Sequence, residues 1–80
     1  MEITAAQCRA GRALLGINQQ ELADTAEVSK RTVASFELGG TVLPAIKAAL
    51  KSALTERGVI FIAENGEGPG VRLKKDLPTE

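Results

Sequence analysis

The sequence predicts a mainly α domain of four to five helices closed by a C-terminal β-hairpin. Three observations carry this. Gly16, Gly39-Gly40 and Gly58 cut the first 58 residues into segments of helical length. Apolar residues inside those segments recur every three or four positions. Beyond Gly58 the pattern changes to a β-branched run, a Gly/Pro/Asn turn cluster and an alternating run. Residues 1–58 are therefore read as one helical unit, 59–75 as a hairpin belonging to the same compact unit, and 76–80 as a polar tail.

The first helix is predicted from about Ala5 to Leu15. Thr4 is placed to cap it and Gly16 to end it in the left-handed region. Cys8, Gly11, Leu14 and Leu15 fall on one face with Ala5 beside them, and Arg9 and Arg12 fall mostly outside that stripe. The second helix starts after Asn18, with Glu21 three residues on to complete a capping box, and ends near Ala26; Leu22, Ala23 and Ala26 form its apolar face. The third starts after Ser29, another good cap; Val33 and Phe36 are its core positions, and Gly39 closes it. Lys30, Arg31, Ala34 and Ser35 then point away from the core. The fourth runs from Val42 or Pro44 to Arg57, because proline is tolerated only in a first turn. Leu43, Ile46, Leu50, Ala53 and Leu54 are its apolar stripe, with Lys47, Lys51 and Glu56 facing solvent. Val59–Ala63 and Val71–Lys74 are the strands of the hairpin, and 64–70 its loop.

Composition narrows the chemistry. The 80 residues include one cysteine, no histidine, no tryptophan and no tyrosine. That excludes a disulfide framework, a Cys/His zinc site and any relay that needs an imidazole. Glu21, Asp24, Glu27 and Glu37 are the only neighbouring carboxylates, and helical geometry spreads them over different faces, so no paired general acid and base is formed. The chain is not expected to be an enzyme or to carry a cofactor or metal, and its core is too small for a ligand pocket. The longest apolar run, Val59–Ala63, is far short of the roughly 20 residues a membrane span needs. Met1–Thr4 has neither a basic nor an apolar region, so no secretory signal is expected, and the lone Cys8 suits a reducing cytoplasm. Cys8 itself reads as a small core residue.

Gln19 to Gly39 is the informative stretch. A short helix, a tight turn at Glu27-Val28 and a second short helix make a helix-turn-helix. Ala23 lets the two helices cross closely, Val28 plugs the turn, and Leu22, Val33 and Phe36 pack between the helices and onto the first one. The runs Asn18-Gln19-Gln20-Glu21-Leu22-Ala23, Val28-Ser29-Lys30-Arg31-Thr32-Val33 and Phe36-Glu37-Leu38-Gly39 resemble the Cro/C1-type helix-turn-helix of phage-type repressors and their bacterial relatives. The resemblance covers roughly residues 4–57, and Leu15–Gln19 fits the family's entry into its second helix. Gly58–Ile62 with Asn65-Gly66 and Gly68–Leu73 resembles the tail of a compact bacterial subgroup. Two departures stand out. Where the family usually has a glycine in the turn, this chain has Glu27, and a non-glycine residue at positive φ costs about 1 kcal/mol. The loop Gly40–Pro44 is shorter than in many relatives, which implies that the usual fourth and fifth helices are merged.

The resemblance implies a lambda-repressor-like DNA-binding domain whose third helix enters the major groove of double-stranded DNA by its N-terminal end. By position, Lys30, Arg31, Ala34 and Ser35 would face base edges. Arg31 or Lys30 can donate to guanine O6 and N7, worth about 1–3 kcal/mol of discrimination for a good bidentate contact, and Ala34 can touch a thymine methyl. Gln19 would meet a phosphate at the start of the second helix. Ser29 is left with two roles, capping its own helix or touching a phosphate, and Thr32 is a secondary candidate. Cations at a helix N-terminus oppose the macrodipole, so stability does not ask for Lys30 and Arg31 there. The family's salt bridge between the first helix and the end of the recognition helix falls on Arg12 and Glu37. Arg9 is either a DNA-backbone contact or an ordinary surface arginine, and Gln20 is a surface position.

Lys plus Arg and Asp plus Glu both number 10. A chain of zero net charge should bind DNA weakly as a monomer and lean on dimerisation. The first strand is apolar on both faces, Val59, Phe61 and Ala63 against Ile60 and Ile62, and one face needs a cover beyond the fourth helix. The expected cover is a second copy, with Val59, Ile60, Phe61, Ile62 and Leu73 in the interface. Two recognition helices would then meet successive major grooves about 34 Å apart on a pseudo-palindrome. The expected function is a cytoplasmic, homodimeric transcriptional regulator acting as a repressor by occluding a promoter. The alternative is an antitoxin-like or other protein-interaction module that uses the hairpin and the tail.

Overall fold

The computed structural model describes residues 1–75, and the tail assigned to 76–80 lies outside them. Four helices, α1 (Ala5–Leu15), α2 (Gln19–Ala26), α3 (Lys30–Glu37) and α4 (Pro44–Glu56), precede an antiparallel pair of strands, β1 (Val59–Ile62) and β2 (Gly70–Leu73). The fold is mainly α, and a single helix follows the third.

Local chemistry sets each helix boundary. Thr4 accepts from the backbone N–H of Gln7 while the Gln7 side chain accepts from that of Thr4, a complete capping box, and Gly16 ends α1 at φ 69°. Asn18 and Glu21 repeat the box at α2. Ser29 caps α3 through the N–H of Thr32. Pro44 opens α4 directly after Leu43, which makes no side-chain cap. At Gly40 the chain passes so close to α3 that a Cβ would lie 2.6 Å from Ser35 Oγ and 2.8 Å from Ser35 O, so only glycine fits.

The core gathers one stripe from every helix: Cys8, Leu22, Ala23, Val33, Phe36, Leu50, Ala53 and Leu54, with Ile3 below and Val59 above. Ile3 and Cys8 occupy the positions before and after the first turn that a hydrophobic staple joins, and both belong to this cluster. Gly11 is buried where α1 meets α4 and β1; a Cβ there would stand 3.4 Å from Leu54 and 3.5 Å from Val59, ordinary contact distances. Two expected core positions lie outside. Leu14 is 43 % exposed, at the margin of the α1 stripe, and Leu43 is 68 % exposed. Leu43 has extended backbone (φ −63°, ψ 146°) and precedes the helix, so the helical period does not reach it. Lys47 and Lys51 are not free on the solvent side either. Lys47 pairs with Glu2 at 3.1 Å and Lys51 donates to the carbonyl of Met1 at 3.0 Å, strapping the N-terminus along α4.

The hairpin pairs Val59 with Leu73, Ile60 with Arg72, Phe61 with Val71 and Ile62 with Gly70. Residues directly opposite share a face and faces alternate. Val59, Phe61 and Val71 therefore lie together on the face packed against the core, while Ile60 and Arg72 share the outer face. The hairpin rests on α1 as well as on α4. Gln7 makes the polar joint. Its buried amide nitrogen donates to the carbonyls of Ile62 and Gly70 at 3.3 and 2.9 Å, where the strands part into the loop. Replacing Gln7 with methionine keeps the volume and leaves those carbonyls and the Thr4 N–H without this partner. Urea unfolding of Gln7→Met should show a loss of about 1–3 kcal/mol. The amides of 59–62 and 70–73 should gain the most in hydrogen-exchange rate.

Candidate nucleic-acid interface

α2 and α3 are joined by residues 27–29, a turn tight enough to force Glu27 to φ 61°, ψ 42°. Glu27 is the one non-glycine residue at positive φ among the described residues. The residue that departs from the family pattern therefore does sit in the left-handed conformation. Val28 packs against the core just after it, and its N–H returns to Ala23 O at 3.0 Å. These contacts hold the strained residue in place.

α3 buries Val33, Phe36 and Glu37 and presents Lys30, Arg31 and Ser35 to solvent, with Ala34 and Thr32 half-buried. Among the described residues neither Lys30 nor Arg31 takes part in an ion pair. The two cations and Ser35 thus stand together on the outer surface of the first turns of α3. The other candidates are placed differently. Ser29 Oγ is occupied as the cap and lies 2.8 Å from Thr32 Oγ1, so of its two possible roles capping is the one present, and Thr32 is tied to it. Gln19 Nε2 donates to Glu37 Oε1 at 3.0 Å, so this amide is directed into the molecule, and only its second N–H and the helix-terminal N–H groups are left for an anion.

Glu37 is the hub beneath this surface. Its carboxylate, on a residue only 3 % exposed, accepts from Arg12 Nε and Nη2, both at 2.7 Å, from Gln19 Nε2 and from Cys8 Sγ at 3.3 Å. Arg12 Nη1 also donates to Ile17 O at 3.2 Å. Arg9, which the sequence leaves between DNA backbone and plain surface, instead donates to the backbone carbonyl of Glu37, a cation set at the C-terminal end of α3. Burial pushes the Glu37 carboxyl up, but the hydrogen bonds of Arg12, Gln19 and Cys8 and the Arg12 charge outweigh it, and the net shift is downward. Arg12 moves upward, chiefly through its bond to Glu37. Burial first, and then the Glu37 carboxylate, push the Cys8 thiol up to about 12, so at neutral pH it is an inert thiol in the core.

The structure brings together Lys30, Arg31, Ala34 and Ser35, fixes Ser29 and Thr32 as one cap, and turns Gln19 inward. It also corrects the hairpin set. Val59 is 1 % exposed and sealed by its own chain, so it has no surface to give a partner; Phe61 and Ile62 are half-buried, while Ile60 and Leu73 are 37 % and 44 % exposed. Gln7 was missed as a structural residue, although Thr4-x-x-Gln7 carries the capping-box spacing that marks it. No family model matches the chain, and no curated protein is significantly similar to it.

Because the folded carboxyl of Glu37 lies below its ordinary value, its contribution is complete above the ordinary carboxylate range. It is lost as pH falls through the lowered folded value. Glu37→Gln should therefore cost about 1–3 kcal/mol at neutral pH, where it leaves the half-buried Arg12 without its counter-charge. It should also flatten the acid limb of the stability curve. Chemical unfolding of both proteins from neutral pH into the acid range measures both effects.

Proposed function

We propose that the chain is a lambda-repressor-like, sequence-specific DNA-binding regulator that represses transcription by occupying a pseudo-palindromic operator as a homodimer. One observation supports this above all: the exposed, unpaired Lys30 and Arg31 on the first turn of α3, over a buried clamp that ties α3 to α1 and α2. Cations at a helix N-terminus work against the macrodipole, so the fold gains nothing from them there. A duplex does gain from them, since a helix entering the major groove leads with these residues. Arg31 and Lys30 donate to guanine, Ser35 to either base type, and the Ala34 methyl lies beside a thymine methyl. Gln19 then acts mainly through Glu37. Phosphate contact at α2 falls to its terminal backbone N–H groups and the second amide hydrogen of Gln19.

The dimer uses the outer face of the hairpin, where Ile60 stands beside Arg72; Leu73, opposite Val59, belongs to the other face. Two such faces related by a two-fold axis cover apolar surface that one chain leaves in water.

Selection of random duplexes by the wild type should yield a palindromic consensus. Arg31→Ala should lose preference at one base pair of each half-site, a loss of about 1–3 kcal/mol, while retaining salt-dependent binding to any sequence. An unchanged preference places the reading surface elsewhere. Ile60→Asp should shift the sedimentation equilibrium to monomer and weaken operator binding without changing the selected bases. A wild type that is monomeric at high micromolar concentration removes the homodimer.

A further inference from the structure

We propose that the groove between α3 and the start of α4 is a docking site for an acidic, aliphatic peptide segment of a partner protein, whose binding there excludes DNA. The exclusion rests on the reading of α3 above; the docking site does not. The groove is shallow and open, about 600 Å³, with Arg31 and Ser35 on the α3 side and Val42, Leu43, Pro44 and Ile46 on the other.

Leu43 is the first argument. It is 68 % exposed and occupies the N-cap of α4, where it makes no side-chain hydrogen bond. Exposure and capping both favour Ser, Thr, Asp or Asn at such a position, so folding does not account for a large aliphatic side chain there. Pro44 follows at the first helical position and restricts the backbone of Leu43 to the extended region it occupies. The anchor surface is thus preorganised, which lowers the ordering cost of a complex.

Charge is the second argument. Arg31 is the sole ionic side chain in the groove, no carboxylate lines it, and Arg31 has no ion-pair partner among the described residues. An apolar floor beside one unpaired cation is complementary to an aliphatic side chain flanked by a carboxylate. DNA supplies the anion but not the aliphatic anchor. A second copy docked groove to groove about a two-fold axis would bring two Arg31 guanidinium groups toward each other, which opposes it. Because Arg31 belongs to both surfaces, a carboxylate bound to it withdraws it from bases.

Selection of a displayed random-peptide library on the full chain tests the proposal. The enriched peptides should share an Asp or Glu close to a Leu, Ile, Met or Phe. A synthetic consensus peptide should bind the wild type, and Leu43→Ser and Arg31→Ala should each weaken it about tenfold or more, with circular dichroism confirming that both variants fold. The peptide should also displace the selected duplex from the wild type, whereas Leu43→Ser should keep its DNA affinity and resist displacement. Basic or chargeless consensus peptides, or binding indifferent to Leu43→Ser, overturn the docking site. So does a homodimer that Leu43→Ser dissolves, which makes the groove a self-interface. If the wild type selects no DNA while peptide binding still depends on Leu43 and Arg31, the docking site stands and the DNA reading falls. Peptide and duplex bound together overturn the exclusion.

Discussion

The buried carboxylate of Glu37 organises the helical part of this protein. It sits on the last turn of α3 and collects donors from Arg12 and Cys8 of α1 and from Gln19 of α2. A buried ion pair is not in itself a strong source of stability, since desolvation offsets much of its attraction. Its value here lies in direction. Apolar contacts among Leu22, Val33 and Phe36 tolerate small rotations of α3, whereas a forked guanidinium bonded twice to one carboxylate does not. All polar side-chain atoms that are buried among the described residues find partners, so the network is complete rather than half made. Rotation of α3 about its axis determines whether Lys30, Arg31 and Ser35 face outward together, so the inner clamp sets the outer surface.

Gln7 does for the hairpin what Glu37 does for the helices, by a different route. A two-stranded hairpin alone is marginal in water. Here its inner face lies on the core through Val59, Phe61 and Val71, and its loop end is held by the Gln7 amide. At the other end the N–H of Lys74 donates to Gly58 O at 2.6 Å. Because Gln7 is also the third residue of the α1 capping box, the start of α1 and the hairpin are bound through one side chain. The strands are thereby presented as a fixed shelf, and Ile60 on its outer face keeps a definite position relative to α1.

What was legible in the sequence was the part governed by neighbours along the chain. Thr4, Asn18 and Ser29 begin helices because a cap bond spans three residues, Pro44 because its fixed φ suits a first turn, and Gly16 ends one because positive φ suits glycine; each can be read from a few letters. The Glu27 strain was legible only through the resemblance, whose usual glycine in that turn Glu27 replaces. The α3 surface of Lys30, Arg31 and Ser35 followed once Val33 and Phe36 were assigned to the core, since a helix has only one other side. Positions whose fate is set by distant segments were not legible. Arg9 meets a carbonyl 28 residues away and Gln7 meets carbonyls 55 and 63 residues away. Leu43 satisfies the apolar period of α4 yet precedes its first turn, and Val59 looks like any strand valine until the fold packs it against α1 and α4. The inward turn of Gln19 depends on Glu37, eighteen positions along the chain.

Zero net charge is a poor guide to the field at α3, because several charged groups are held in ion pairs or hydrogen bonds away from its outer surface. Glu37 and Arg12 cancel in one ion pair beneath α3, Glu2 and Lys47 cancel at the N-terminus, and Arg9 lies against the Glu37 carbonyl. Glu64 accepts from two N–H groups of the hairpin loop, and Glu21 is spent on the α2 cap. What remains near the outer surface of α3 is Lys30 and Arg31, opposed by Glu27 in the turn behind them. On the proposed DNA reading, two cations on α3 neutralise few phosphates, so the electrostatic part of binding would be small for one protomer and its salt dependence shallow. On that reading affinity would come from base contacts and from joining two protomers on one duplex, where the second contact is made at high effective concentration. The proposed dimer and the proposed base contacts of α3 thus draw on the same distribution of charge. A surface with little non-specific attraction loses less of its protein to random sequence, so in the proposed regulator selectivity would rest on Arg31 and the side chains around it.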